Sequence, residues 1–430
     1  MTLLVLLTGV ALLGCCVFLL GYRNSGLVIP LLVGAVLRTA VGFVGLHAVP
    51  FRLPYSGADA LVFERHAWQM ASAGWEEIIN GFNPATGFDY IAPFAAIYSV
   101  VGREPHALMY YNVFLGVLTI WLVYLLATTL ADRRVATWVA WAMALFPASI
   151  LMSSLVLRES GVAFGVALGA LGVVETIRNR HMGFLLLGVA GLGFATLLHG
   201  GMLVPSIGIL AGLTVLQSRS SITGGRIHLP SLAAALSALV LMGSAAAAVG
   251  GGDLRLASVG VINFETAEGR VLASNERQAL GGSSYYGGTT TESWGQAVVQ
   301  LPGRVTLYMF SPLPWTVRSP TQVIGLLDGL IWMLMVLALI KHRRRIWEDP
   351  ASRLLLIFLV MGVTVYSLGT TNAGTALRHR TKIIPALLPL VLFAISKARS
   401  AKSMDGSTLA SARSAERALP RTRRSLAEAQ

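Results

Sequence analysis

A short polar stretch that begins at Asp59 contains the residue types needed for proton transfer. Asp59 lies in the segment 55–60, and Glu64 and His66 follow it within two helical turns. A carboxylate in such a position can act as a general base that activates a hydroxyl group while an activated phosphate leaves. Asp is also favoured at helix N-termini, so capping is an equally good interpretation of Asp59.

Basic side chains lie at the ends of two other apolar runs. Arg158, followed directly by Glu159, ends one of these runs. Guanidinium groups match phosphate oxygens in both geometry and charge. The candidate phosphate ligands are Arg158, Arg378, Arg380 and Lys382. The alternative interpretation is an ordinary ion pair of Arg158 with Glu159 or Asp59.

Further side chains are candidates for substrate contact. His199 ends the apolar run 183–199, where a histidine is also a common cap or interfacial residue. Arg277 precedes a Gly/Ser/Tyr stretch at 281–288 whose hydroxyl groups and aromatic faces could contact a sugar. The candidate substrate-binding residues are His66, Glu159, His199, Arg277, Tyr285 and Tyr286. No zinc motif, phosphate-binding glycine loop or Ser-His-Asp order is recognisable.

The apolar runs that must position these residues indicate a membrane protein. Of the 430 residues, 55% are hydrophobic and only 12% are charged, about half the charged share of an ordinary soluble domain. The apolar residues gather in runs that match the thickness of a bilayer and lack the alternation of barrel strands, so we predict helices. An all-α polytopic fold with about eleven transmembrane helices is expected. The candidate spans are roughly 2–20, 27–48, 107–131, 136–156, 160–176, 183–199, 201–217, 229–249, 321–340, 353–371 and 381–397.

The distribution of positive charge predicts the topology. The formal net charge is +13, and much of it lies in Lys341–Arg345 and in the tail 398–430. The positive-inside rule places both on the cytoplasmic side, and it places every other strongly basic short loop there as well. This flanking position argues against nucleic-acid binding and for contact with membrane lipids. The compact loops and the Ala/Gly/Arg-rich composition favour a bacterial inner membrane.

The same topology predicts one transmembrane domain at 1–397 with two large outer loops, at about 49–106 and 250–320. Within the first loop, Ala60–Ala73 is predicted to be an amphipathic helix on the membrane surface. The segment 88–101 is predicted to be a short re-entrant or interfacial helix. The second loop is expected to be long and partly ordered. The tail 398–430 is predicted to be disordered and cytoplasmic.

Three segments together resemble the polytopic glycosyltransferases of the GT-C fold, a group that includes protein O-mannosyltransferase-like and aminoarabinose-transferase-like enzymes. These segments are Asp59 with its Ala-rich helix, the stretch 146–159, and the stretch 372–380 before the final span. The resemblance implies inverting transfer of a sugar from a polyprenyl-phosphate carrier to a lipid-linked or surface acceptor at the outer face. It implies that Asp59 is the catalytic base, with Glu64 nearby, and that Arg158, Arg378 and Arg380 bind the carrier phosphate.

Two alternatives to this function follow from the sequence. Many of these relatives have a paired acidic motif after a single span, whereas here Ala60 follows Asp59 and two spans precede it; the related polymerases of lipid-linked polysaccharide repeats are therefore an alternative. A transporter or flippase would need charges near mid-bilayer, for which Arg38 and Asp328 are the candidates. Some members of the group use a divalent metal, for which this chain offers only carboxylates, so no cofactor is assigned.

Overall fold

The structure, a computed structural model, describes residues 1–48, 59–80, 90–179, 181–222, 293–317 and 322–418, and the single positions 233, 236, 237, 240 and 284; at 218–222, 294 and 397–418 it describes the backbone only. These ranges are helical almost throughout and contain no strand. The helices are α1 (Thr2–Gly21), α2 (Ser25–Phe43), α3 (Asp59–Ala73), α4 (Trp75–Asn80), α5 (Ile91–Val101), α6 (Pro105–Leu130), α7 (Arg133–Leu145), α8 (Pro147–Ser153), α9 (Glu159–Asn179), α10 (Met182–Leu198), α11 (Leu203–Ile222), α12 (Trp294–Val299), α13 (Leu301–Phe310), α14 (Gln322–Lys341), α15 (Arg343–Glu348), α16 (Pro350–Gly369) and α17 (Ala373–Ala418).

The predicted all-α, multi-pass membrane architecture is confirmed. In the described part of the chain, eight helices are long and apolar enough to cross a bilayer, or nine if the bent pair α7–α8 is one span. α10 is equally apolar but has only 17 residues. The predicted span 229–249 lies almost wholly outside the described residues. The count of about eleven spans therefore stays a prediction.

The core of the bundle is built around α6, α9 and α17. α9 and α17 are the most buried of the spans, followed by α6, whereas α1 and α14 leave most of their apolar side chains exposed. In water that pattern would be unfavourable, but lipid tails solvate an apolar helix face well. Glu159, Arg378 and Lys382 lie on α9 and α17, the two spans that are most completely surrounded by protein.

The break between α7 and α8 is held by a buried arginine. Pro147 starts α8, and the two helices meet at 58°. The break frees carbonyl groups of the last turn of α7, and a free carbonyl group inside a membrane is unfavourable. Arg38 of α2 donates to the carbonyls of Met143 and Ala144 at 3.2 and 3.1 Å, and to Ser149 Oγ at 3.0 Å. Arg38, one of the two mid-bilayer candidates, thus bonds locally.

The predicted amphipathic helix at 60–73 is confirmed as α3, and α5 lies within the predicted helical segment 88–101. α3 packs on α5, and Ala60 and Ala67 of α3 are fully buried. Glu64 of α3 is also buried, and it accepts hydrogen bonds from Tyr98 of α5 at 3.0 Å and from Arg103 at 2.9 and 3.0 Å. The location of these helices at the membrane surface stays a prediction.

The two ends of α9 mark the two ends of the bundle. Its 21 residues span about 30 Å. At its last turn, Arg178 pairs with Asp349 at 2.7 Å. The opposite end, where α9 begins with Glu159, is called the site end below. The starts of α6 and α1 also lie at the site end. They are joined there by a hydrogen bond from Thr2 Oγ1 to the carboxylate of Glu104, at 2.6 Å.

The glycines of α9 and α10 allow the closest helix packing in the bundle. Gly165, Gly169 and Gly172 form one face of α9, and they meet Gly188 and Gly191 of α10. A Cβ atom at Gly172 would lie 2.5 Å from the Cα atom of Gly188, so no side chain fits there. Such small-residue faces let membrane helices approach closely and gain van der Waals contact. This contact fixes α9, and with it the position of Glu159.

We therefore expect Gly172→Ala to destabilise the protein, because the added methyl group must push α9 and α10 apart. Overpacking of this kind costs about 1–3 kcal/mol, which should appear as a lower midpoint of thermal unfolding in nanodiscs. Gly14→Ala on α1 is the matched control, since a Cβ atom there meets nothing within 4 Å. Equal unfolding midpoints for the two variants would contradict the packing argument.

Candidate functional site

The central feature of the site end is an arginine that joins two carboxylates. Arg378, in the second turn of α17, donates from Nη1 to Asp59 Oδ2 at 2.6 Å. Its Nη2 and Nε donate to Glu159 Oε1 at 2.8 and 3.1 Å. Asp59 begins α3, Glu159 begins α9 and Arg378 belongs to α17. The contact therefore joins three parts of the chain that are distant in sequence. We call it the carboxylate bridge.

The two arms of the carboxylate bridge differ in their exposure. The Glu159 side chain is 1% exposed, the Arg378 side chain 14% and the Asp59 side chain 49%. Charge pairs in buried surroundings interact strongly, whereas water and salt screen exposed pairs. The arm from Arg378 to Glu159 is therefore the fixed part of the site, and the arm to Asp59 is the part open to solvent or substrate.

Lys382 adds a second cation one helical turn beyond Arg378. Its side chain is fully buried, and its Nζ atom lies 3.8 Å from Glu159 Oε1. Nζ also lies 5.6 Å from the centre of the Tyr366 ring. Among the described residues neither Nζ nor Glu159 Oε2 has a hydrogen-bond partner. The ammonium group is thus held by charge and by the aromatic ring, and it keeps donors that remain unused.

Arg158 is a third cation at the same place. It precedes Glu159 and is partly buried, yet it makes no hydrogen bond or ion pair with the residues that the structure describes. Burial, opposed by the charge of Glu159 and reinforced by that of Arg378, lowers the pKa of its guanidinium below the usual value. A guanidinium that is partly desolvated and lacks a partner marks a place where an anion would be stabilised.

A wall of aromatic rings borders the three cations. Tyr366 of α16 lies with its ring centre 4.5 Å from that of His379, and its hydroxyl group is 3.3 Å from Nδ1 of His199. His199 Nδ1 also accepts from the backbone N–H of Gly201 at 3.2 Å, which is the capping role expected at a helix end. Burial, together with the positive charges of Lys382 and Arg158, keeps the pKa of His199 well below its usual value. His199 is therefore a neutral group of the wall.

The irregular chain between α8 and α9, which carries Arg158, is fixed by a buried amide. Asn112 of α6 donates to the carbonyl oxygens of Leu155 and, at 3.1 Å, Leu157. Its Oδ1 atom accepts from Ser160 Oγ at 2.6 Å and from the hydroxyl group of Tyr90. Since these bonds satisfy backbone groups that no helix pairs, they hold the segment in one conformation.

Arg380 does not join the other predicted phosphate ligands. Residues 378 and 382 share one face of α17, whereas residue 380 lies on the opposite face. Arg380 is fully buried and pairs with Asp328 of α14 at 2.7 Å. It also donates to the carbonyls that end α13, which belong to Tyr308, Met309 and Ser311, at 3.1, 2.7 and 3.0 Å. Asp328, the second mid-bilayer candidate, is thus also paired locally.

The remaining predicted site residues lie apart from the carboxylate bridge or outside the described residues. Glu64 is engaged with Tyr98 and Arg103 as given above. His66 is exposed on α3, with Nδ1 2.8 Å from the carbonyl oxygen of Val62. The predicted sugar-contacting residues Arg277, Tyr285 and Tyr286 fall outside the described residues.

Within the described ranges, no group of three or more His, Cys, Asp or Glu side chains is arranged to hold a metal ion. No protein-family model matches the chain, and no curated protein matches it. The arrangement itself can do two things chemically. It can hold an anion against Arg158 and Lys382, and it presents a half-exposed carboxylate, Asp59, beside that position.

Sequence reasoning missed Tyr366, His379 and Asn112. His379 lies between two of the predicted ligands. Since positions 379 and 382 are three residues apart on a helix, the sequence could have placed His379 beside Lys382. Tyr366 and Asn112 lie in the interior of apolar runs, where a lone polar residue in a membrane span is itself a signal. Applied to residues 378–382, the helical period would also have separated Arg380 from Arg378 and Lys382.

We expect Arg378→Gln to destabilise the protein strongly, because it removes the cation that donates two hydrogen bonds to the buried Glu159. Removing one member of a buried ion pair costs roughly 3–5 kcal/mol, measurable as a fall in the thermal unfolding midpoint in nanodiscs. The double variant Glu159→Gln/Arg378→Gln should lose less stability than the sum of the two single variants, because the two partners are then removed together. Arg65→Gln, at an exposed arginine of α3, is the control. Additive losses in the double variant would contradict the coupling.

Proposed function

We propose that the chain transfers a sugar, with inversion, from a polyprenyl-phosphate carrier to an acceptor hydroxyl group at the outer face of a bacterial inner membrane. The observation that carries the proposal is the cluster at the site end. A half-exposed carboxylate, Asp59, lies beside three cations, of which Arg158 makes no hydrogen bond or ion pair with the described residues. This is the pairing of base and phosphate ligand that such a transfer needs.

Each group has a defined role in the proposed reaction. Asp59 accepts the proton of the acceptor hydroxyl, and the hydroxyl oxygen forms a bond to the anomeric carbon of the sugar. The bond from that carbon to the carrier phosphate breaks, and its electron pair remains on the phosphate oxygen. Arg158 and Lys382 stabilise the charge that develops there. A single displacement of this kind inverts the anomeric centre.

The charge of the cluster supports a carrier with one phosphate group. Arg158, Arg378 and Lys382 face the carboxylates of Asp59 and Glu159, which leaves a surplus of one positive charge among the described residues. A phosphodiester carries one negative charge, so its binding neutralises the site. A diphosphate would leave an unbalanced negative charge in buried surroundings, which is unfavourable.

Two alternatives use features of the same chain. A polymerase of lipid-linked repeat units would share the proposed chemistry and would yield a ladder of products in place of one addition. A transporter or flippase would need charged groups that change partners within the membrane. The two mid-bilayer candidates, Arg38 and Asp328, are instead bonded to neighbouring helices, which favours the transferase.

We predict that Asp59→Asn abolishes transfer, because the amide cannot accept the proton. Loss of a general base lowers the rate by about 10²–10⁴-fold. The assay follows the radiolabel from undecaprenyl-phosphate-linked glucose, mannose, galactose or arabinose into envelope acceptors in nanodisc or membrane preparations. Glu76→Gln, which removes an exposed carboxylate of α4, is the control and should retain activity. Full transfer by Asp59→Asn would refute the assignment of the base.

We predict that Arg158→Gln weakens binding of undecaprenyl phosphate by about tenfold or more, because a hydrogen bond to a charged group is lost. The unfolding midpoint should change little, since no described residue depends on Arg158 for a hydrogen bond. Binding is titrated in nanodiscs, with uncharged undecaprenol as the reference ligand and Arg65→Gln as the control variant. Unchanged affinity would remove Arg158 from the phosphate site.

A further inference from the structure

We infer that Asp59 occupies, as a resident anion, the Nη1 donor of Arg378, which is the third donor of the phosphate site beside Arg158 and Lys382, and that the phosphate group of the bound carrier displaces it. The inference rests on the proposed function and adds a role for the carboxylate bridge. Nη1 of Arg378 is then a hydrogen-bond donor meant for the phosphate group. Before the carrier binds, it donates to the protein's own carboxylate. The base is released only when the carrier arrives.

The exposure of the two arms decides which carboxylate gives way. Glu159 receives two hydrogen bonds from Arg378, is 1% exposed and has Lys382 beside it. From the described residues Asp59 receives one hydrogen bond, at 2.6 Å, and half of its side chain is open to solvent. Release of Asp59 therefore moves a carboxylate into water, whereas release of Glu159 would leave a charge unpaired in the core. An incoming anion competes only with Asp59.

Two further cations, Arg158 and Lys382, lie near Arg378. Arg158 directly precedes Glu159, and Lys382 lies one turn from Arg378 on the same face of α17. Neither has a hydrogen bond in the described part of the chain, so both offer free donors to an anion that reaches Nη1 of Arg378. A tetrahedral phosphate has enough oxygens for all three, whereas the carboxylate of Asp59 satisfies only one.

Displacement also prepares the base for its task. While Asp59 accepts from Arg378, the oxygen that bonds to Nη1 is engaged. When phosphate takes over Nη1, that oxygen becomes available to the hydroxyl group of the acceptor. The carboxylate is therefore released for proton transfer at the moment when a sugar donor is bound beside it.

A double-mutant cycle on ligand affinity tests the inference without reference to turnover. Undecaprenyl phosphate is titrated into nanodiscs holding the full chain as wild type, Asp59→Asn, Arg378→Lys and the double variant. Lysine keeps a cation beside Glu159 but lacks the fork that reaches both carboxylates. Asp59→Asn should tighten binding about tenfold in the wild-type background, because competition and repulsion are both removed. In the Arg378→Lys background it should tighten binding only about twofold, by loss of repulsion.

Each outcome of the cycle has a distinct meaning. Equal tightening in both backgrounds, or none in the wild type, overturns displacement while leaving carrier binding in place. A wild-type protein that binds undecaprenol as well as undecaprenyl phosphate overturns the proposed carrier site and this inference together. Glu76→Gln should leave the affinity unchanged. If Arg378→Lys does not fold, the comparison of wild type with Asp59→Asn still tests the inference, because an Asp59→Asn variant that binds no more tightly than wild type overturns displacement.

Discussion

A single buried carboxylate, Glu159, determines much of the structure around it. It begins α9, one of the two spans that are most fully surrounded by protein, where an unpaired charge is costly. The chain meets this requirement with Arg378 at 2.8 Å and Lys382 at 3.8 Å, both from α17. Because these cations lie one turn apart, the requirement fixes both the rotation of α17 and its height beside α9. Arg380 is then directed to the opposite face.

A second constraint acts where three of the described helices begin or end. Inside a membrane each free carbonyl group needs a donor, and this chain supplies long polar side chains for the purpose. Arg38 serves the end of α7, Arg380 the end of α13, and Asn112 the segment before α9. The last of these matters most for function, because it holds Arg158 at the site end without using the guanidinium of Arg158 itself.

The elements could be predicted from the sequence more completely than the contacts among them. Apolar runs of bilayer length predicted the spans that the structure describes, and the amphipathic pattern at 60–73 predicted α3. Asp59, Arg158, Glu159 and Arg378 were recognised as polar residues at the ends of apolar runs. Their mutual pairing was not predictable, because 319 residues separate Asp59 from Arg378 and no local pattern encodes a contact at that distance.

Arg380 differs from its neighbours because of the helical period. Arg378, Arg380 and Lys382 lie within five positions and are all basic, yet the side chain of Arg380 projects from the opposite face of the helix. Arg378 and Lys382 therefore lie at the site, whereas Arg380 donates to backbone carbonyls. Exposure makes a further division within the carboxylate bridge: Glu159, which is 1% exposed, holds helices in place, whereas Asp59, which is 49% exposed, remains free to act. Asp59, the most exposed member of the carboxylate bridge, is therefore where a ligand can change the site without unfolding it.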